Sequence, residues 1–197
     1  MTVIDSKEWL RHQGSVGRAR IGKVRICGED GEELPKGETG LIYFSDNPVF
    51  EYHNDLQKTK DSRNQYGWST LGDIGYLNNE DYLYLTDRKA NTIISGGVNI
   101  YPQEIENHLI SHPAVKDVAV IGAPNSEFGE EVKAVVIPKD ISLNNVDLEK
   151  ELIDFCYLKV GKIKSPRTVD FAENLPRQEN GKLYKRLLRD RYWKNKV

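Results

Sequence analysis

The chain has 197 residues, 38% hydrophobic and 29% charged, with a formal net charge of −2. That is enough apolar material for one large or two small cores, and it excludes wholesale disorder. No apolar run approaches the roughly 20 residues that cross a bilayer, so no transmembrane segment is expected.

The start, MTVIDSKEWLRH, carries Asp5, Lys7, Glu8 and Arg11 and does not read as a signal peptide. Residues 1–86 have the punctuation of short strands and turns. Lys23–Ile26 alternates polar with apolar, and Asp30-Gly31 is a hairpin-type turn signal. Leu34–Gly37 reads as a second turn before the strand-like Gly40–Phe44. Asp46 to Tyr66 is polar and expected to be irregular. Trp68–Leu77 and Tyr82–Leu85 then read as a strand pair turned at Asn78–Asp81.

The character changes after Leu85. Thr92–Ile94 predicts a short buried strand ending at Ser95-Gly96-Gly97. Pro102 suits the first turn of a helix running to about Ser111, with Ile105 and Leu109 on one face and Pro113 as its stop. Val115–Ile121 and Glu131–Ile137 are apolar, β-branched strand runs. Asn144 is placed to cap a helix whose apolar side is Leu148, Leu152, Phe155 and Cys156. A further strand is expected next. A last helix from about Gly181 carries Leu183, Leu187 and Leu188. The pattern predicts two parts, 1–86 and 87–197, the second a small α+β domain.

Charge divides unevenly along this order. Residues 159–197 hold 12 Lys and Arg against 4 Asp and Glu, a balance of +8, while 87–158 carry −6 and 1–86 carry −4. An anionic partner or a solvated basic helix end each accounts for such a tail. It lacks the aromatic interleaving of a nucleic-acid module, so no nucleic acid is expected. Cys27 and Cys156 build neither a disulfide framework nor a C-x-x-C metal site, and the expected location is cytoplasmic.

Two near-motifs are set aside. Gly17–Lys23 has the spacing of a phosphate-cradling loop, but Val24 follows in place of a hydroxyl residue and a strand follows in place of a helix. His108 and His112 lie four apart, with Glu104 four before, but Leu109 stands where a zincin has Glu. No metal ligand is assigned.

Three features carry chemistry. Asp73, between Gly72 and Gly75, could accept from sugar hydroxyls or be an ordinary turn residue. Ser95-Gly96-Gly97 allows close backbone approach to a ligand or is a plain turn. Lys182, after Gly181, presents a point charge to a phosphate or carboxylate or is a solvated helix-start lysine.

Taken in order, these segments resemble the motifs of the adenylate-forming enzymes: the acyl-CoA synthetases, luciferases and peptide-synthetase adenylation domains. Gly67-Trp68-Ser69-Thr70-Leu71-Gly72-Asp73-Ile74-Gly75 is similar to their Gly-Trp…Thr-Gly-Asp signature. Asp87-Arg88-Lys89 through Glu106 looks like their hinge and the loop after it. Leu175-Pro176-Arg177-Gln178-Glu179-Asn180-Gly181-Lys182-Leu183 resembles their catalytic-lysine loop. Ser95–Glu106 and Phe128–Lys133 are most similar to acyl-CoA synthetases. Leu71 and Ala90 depart from the family's usual residues; Ala90 stands where Asp or Lys is common at the hinge.

The resemblance implies a β-rich end of the large domain (a distorted β-barrel subdomain) at 1–86, then a small mobile α+β C-terminal domain at 87–197. It implies that Asp73 holds the ribose hydroxyls of ATP and that Arg88 contacts the nucleotide. Lys89 and Ala90 lie at the hinge. Lys182 would bridge the acyl carboxylate and the α-phosphate, and Ser95, Gly96 and Gly97 would line the tunnel for CoA. ATP, Mg²⁺ and CoA are the implied cofactors and co-substrates, with the Mg²⁺ ligand outside this chain. The partners implied are a missing N-terminal adenylation domain, a small-molecule carboxylate such as a fatty acid, and a lysine acetyltransferase acting at Lys182. The expectation is part of an acid–thiol ligase that does not turn over alone. The alternative is a stand-alone, non-catalytic nucleotide- or CoA-binding module.

Overall fold

A computed structural model describes residues 1–46, 48, 50–140 and 146–194. Within them the chain divides into two compact units, Met1–Ala90 and Asn91–Val197. Asn144, expected as a helix cap, lies outside the described residues.

The first unit opens with β1 (Thr2–Val3), which pairs antiparallel with β2 (Arg18–Ala19). Between them α1 (Ser6–Arg11) starts in a capping box: Asp5 accepts from the Lys7 and Glu8 amides, and Glu8 reaches back to the Asp5 amide. The main sheet is a meander of β3 (Lys23–Cys27), β4 (Gly40–Ser45), β5 (Asp73–Leu77) and β6 (Leu83–Arg88). Ile26, Ile42 and Leu83 form its core, with Val16, Val24, Leu34, Phe44 and Leu77 packed against them.

Several expectations for this unit are adjusted. The sheet does not close into a barrel among the described residues. The outer edge of β6 is taken by Ser15–Gly17, through Val16 N–H to Leu83 O and Leu83 N–H to Gly17 O, and not by β3. The strand expected from Trp68 starts only at Asp73, because Gly72 sits at a φ of +80° and breaks the extended chain. The stretch expected to be irregular holds α2 (Leu56–Asp61), capped by Asp55 accepting from the Lys58 amide.

The second unit is built on a long hairpin, β9 (Val115–Asn125) with β10 (Gly129–Pro138). The other edge of β10 takes β11 (Thr168–Phe171) in parallel and, at Gly129, β7 (Ile93–Ser95), which pairs in turn with β8 (Val98–Ile100). The return strand β8 was not foreseen. Buried side chains of β9 alternate between two cores. Val118 and Val120 face α3 (Pro102–Leu109) and α4 (Val146–Lys164) together with Ile105, Leu109, Leu148, Leu152 and Cys156. Ala119 and Ile121 face α5 (Lys185–Trp193) through Leu188. Covered on both faces, β9 and β10 are continuously apolar over Val118–Ala123 and Ala134–Ile137.

Helix ends have local causes. α3 stops at Leu109, two residues earlier than expected, and its final turn tightens through Ser111 N–H to His108 O and His112 N–H to Leu109 O. In α4 the backbone breaks at Gly161, φ +75°, whose carbonyl accepts from both the amide and the hydroxyl of Ser165. Phe155 is only half-buried and stacks on His108, 4.1 Å between ring centroids. His112 pairs with Glu151 at 3.2 Å. Leu183 precedes α5, and Leu187 is exposed on it. Cys27 and Cys156 are fully buried, one in each unit.

Candidate functional site

Asp73 is the first residue of β5 and Arg88 the last of β6, and the antiparallel register places them opposite one another. Arg88 Nε lies 2.6 Å from Asp73 Oδ1. The turn before Asp73 is held from two sides: Gly72 N–H donates to Thr70 Oγ1 at 3.0 Å, and Lys89 N–H donates to Gly72 O at 2.8 Å. The carboxylate is partly shielded while the guanidinium is mostly exposed. An acceptor and a cation are therefore presented side by side, suited to a vicinal diol and an adjacent phosphate. Lys89 and Ala90 follow in a short 3₁₀ turn, Lys89–Asn91, with both side chains exposed.

In the second unit Ser95, Gly96 and Gly97 form the tip of the β7–β8 hairpin. Gly96 and Gly97 are its two central residues, at φ of +57° and +80°, the left-handed pair that a two-residue hairpin with matched twist requires. Ser95 is buried. Gly96 N–H donates to Phe128 O at 3.0 Å, and a Cβ on Gly96 would stand 3.1 Å from the Phe128 ring. The tip is thus a narrow backbone ridge lying against the β9–β10 turn.

Lys182 sits on a different loop, between Arg177 and Leu183, which bridge as an antiparallel pair. Gly181 turns at φ +80° and Asn180 Oδ1 accepts the Lys182 amide at 3.0 Å. Gln178 N–H donates to Lys182 O at 2.9 Å. These bonds fix the backbone and leave the ammonium in solvent. The loop is fastened to β9 by Arg177, which grips both Asp117 oxygens from Nη2 at 2.8 and 2.7 Å, adds a longer bond from Nε, and donates from Nη1 to Gly181 O at 2.8 Å.

The structure brings Asp73 and Arg88 together and keeps the other two features apart. Asp117 pairs with Ile137 at one end of the β9–β10 ladder, while Gly129 pairs with both Asn125 and Ser95 at the other. Eight residue steps along β9 separate the two anchors, about 27 Å of extended strand. The partners that anchor each loop were not legible in the sequence. Arg177 stands in the motif quoted above, yet Asp117 lies 60 residues before it, and only a folded register brings them into contact. Glu130 and Arg189, 59 residues apart, meet at 2.6 Å in the same hidden way.

Among the described residues no group of three or more His, Cys, Asp and Glu side chains is placed to hold a metal ion. No described helix is long and apolar enough to cross a membrane.

Residues 104–182 match the model of the AMP-binding enzyme C-terminal domain. The chain is 40% identical over 192 residues to the long-chain-fatty-acid–CoA ligase FadD13 of Mycobacterium tuberculosis, covering 97% of this chain and 37% of that protein. It is 39% identical to a 2-succinylbenzoate–CoA ligase of Bacillus cereus, covering 91% and 36%. Among solved structures, ATP-bound MatB from Rhodopseudomonas palustris superposes with a TM-score of 0.80 at 35% identity, covering 91% of this chain and 36% of that one. The chain therefore spans little more than a third of the length of these relatives.

Proposed function

Because the chain belongs to the adenylate-forming, AMP-binding enzymes, we propose that it is the C-terminal part of an ATP-dependent acyl-CoA synthetase acting on fatty acids. In this reading a carboxylate oxygen attacks the α-phosphorus of ATP and the bond to pyrophosphate breaks. The thiol of CoA then attacks the acyl carbonyl, losing its proton, and the bond to AMP breaks. Asp73 accepts from the ribose hydroxyls and Arg88 contacts the nucleotide beside it. Lys182 places its ammonium between acyl carboxylate and α-phosphate, where negative charge gathers as pyrophosphate departs. Mg²⁺ would supply charge neutralisation for ATP and would be held by residues outside this chain, with no described cluster here placed to take it.

What supports this reading is that the loops carrying Lys182 and Ser95–Gly97 are anchored at opposite ends of one hairpin, at Asp117 and at Gly129, with about 27 Å of β9 between the anchor points. One fixed pose cannot bring both to the same reacting carbon. Residues 87–197 therefore act as a moving domain on the hinge at Lys89 and Ala90, with residues 1–86 closing the large domain. The lysine serves adenylation, and the glycine ridge then replaces it beside the thiol arm of CoA. An N-terminal adenylation domain supplies the phosphate loop and the acyl pocket, and the assembly works in the cytoplasm.

The exposed Lys182 also suits a lysine acetyltransferase, since acetylation removes the charge this role uses. Mass spectrometry after incubation with a protein acetyltransferase and acetyl-CoA should find the modification at Lys182; a refractory Lys182 would end that part of the reading.

The function is tested by thioester formation with ATP, Mg²⁺, CoA and a panel of fatty acids. Background turnover is expected from the 197-residue chain alone, and turnover once an adenylation domain is supplied. Binding of nucleotide or CoA with no turnover in either setting would favour the non-catalytic module instead.

A further inference from the structure

We propose that each loop is held in its reacting posture by its own arginine–carboxylate pair, so that Arg177–Asp117 positions Lys182 for adenylation and Arg189–Glu130 positions the Ser95–Gly97 tip for thioester formation. The proposal rests on the function given above and deepens it, naming four positioning residues that do not themselves meet substrate.

At the lysine end the guanidinium of Arg177 acts as a fork. Its bonds to both Asp117 oxygens fix the plane of the group as well as its position. Its remaining nitrogen, Nη1, holds Gly181 O, immediately before Lys182. Behind Lys182 the chain is pinned again, where Lys185 Nζ lies 2.8 Å from Glu106 Oε1, both side chains nearly buried. Glu106 is itself located by the Val120 amide of β9 at 2.7 Å. An exposed loop fastened on both sides presents its lysine with little ordering left to do, which is what a group acting at one transition state requires.

At the other end Glu130 bridges two elements. One oxygen accepts from the Ile94 amide of β7 at 3.0 Å and the other from Arg189 of α5 at 2.6 Å. The carboxylate lies where Gly122 has no side chain; a Cβ there would stand 2.5 Å from Glu130 Oε2. Trp193 seals the same spot, donating from Nε1 to Gly122 O at 3.1 Å, with Arg189 over its ring at 5.1 Å. The strand that ends in Ser95-Gly96-Gly97 is thereby fixed to the C-terminal helix. The two pairs share no residue and sit at opposite ends of the β9–β10 hairpin, so their effects should separate.

The test uses two readouts. In the 197-residue chain, amide exchange followed by NMR should rise about tenfold at Gln178 and Gly181 in Asp117→Ala, with Ile94 unchanged. Glu130→Ala and the milder Gly122→Ala should raise exchange at Ile94 and leave Gln178 and Gly181 protected. With an adenylation domain supplied, Asp117→Ala should slow adenylation up to about 100-fold, as a displacement near 1 Å does, and spare thioester formation from added acyl-adenylate. Glu130→Ala should do the reverse, and Asp117→Glu and Glu130→Gln should recover part of each loss. Exchange rising equally at both loops, or both half-reactions falling together, would overturn the proposal by reducing the pairs to general stability. An unmodified assembly that performs neither half-reaction would overturn the function instead, and the exchange pattern would still decide whether each pair holds its own loop.

Discussion

Asp73 and Arg88 are cross-strand partners on β5 and β6, with the guanidinium Nε 2.6 Å from the carboxylate Oδ1. The pair closes the strand end from which the chain leaves for Lys89 and Ala90, so the acceptor proposed for ribose and the start of the proposed hinge are one piece of structure. Because Arg88 is largely exposed, solvent screens the attraction and its worth to folding is at most about 1 kcal/mol. Arg88→Ala should therefore shift the denaturation midpoint of the first unit only slightly while raising the KM for ATP in the assembled enzyme. A large stability loss with an unchanged KM would show the pair to be purely structural.

Among the described residues the exposed ammonium of Lys182 makes no hydrogen bond or ion pair. Lys182→Ala should leave thermal unfolding within about 0.5 kcal/mol of the parent and abolish adenylation, yet spare thioester formation from supplied acyl-adenylate. Equal loss of both half-reactions would remove the role given to this residue.

The two glycines of the β7–β8 tip differ in their surroundings. A side chain at Gly97 meets open space and suffers only the left-handed backbone, whereas one at Gly96 also meets Phe128 at 3.1 Å. Gly97→Ala should cost about 1 kcal/mol and Gly96→Ala about 2 kcal/mol, measured by urea unfolding of the second unit. The reverse order would mean that the tip conformation is not the one described.

Asp170 predicts a pH dependence. Burial alone would raise its pKa, but hydrogen bonds from Lys133 and Tyr192 outweigh this and leave it below its ordinary value of 3.8. A lowered native pKa means that the native state holds its proton less firmly than the unfolded chain. The stabilisation is then complete above about pH 5 and is lost as pH falls below 3.8 toward the native value. Asp170→Asn should be less stable than the parent at pH 6, and the gap should narrow as pH falls below 3.8. A gap independent of pH would show that the carboxylate's charge is not what matters.

The large features of the fold were legible because they follow from composition over many residues. Val115–Ile121 is apolar and β-branched enough to read as a strand, and Pro102 with Ile105 and Leu109 marks a helix start and its buried side. The two-residue strands β1 and β2 and the six-residue helices α1 and α2 carry too few residues for periodicity to register, although Asp5 and Glu8 have the spacing of a capping box. β8 was hidden because Val98, Asn99 and Ile100 form a strand only by folding back over Gly96 and Gly97. At the site, the glycine and lysine motifs were legible in the sequence as loops, the first at Ser95–Gly97 and the second around Lys182. The carboxylates that fasten those loops are set by register across β9 and β10, a long-range property that neighbouring residues do not encode.

The two sealed thiols have a consequence of their own. Burial lifts the pKa of Cys27 to about 11 and that of Cys156 to about 12, so neither offers a thiolate to a labelling reagent at neutral pH while its unit stays closed. With one cysteine in each unit and none elsewhere in the chain, reagent uptake times the opening of each half separately. The molecule thus carries an internal stopwatch for each of its parts, and the surface stays free for a dye on an introduced cysteine without background from either native one.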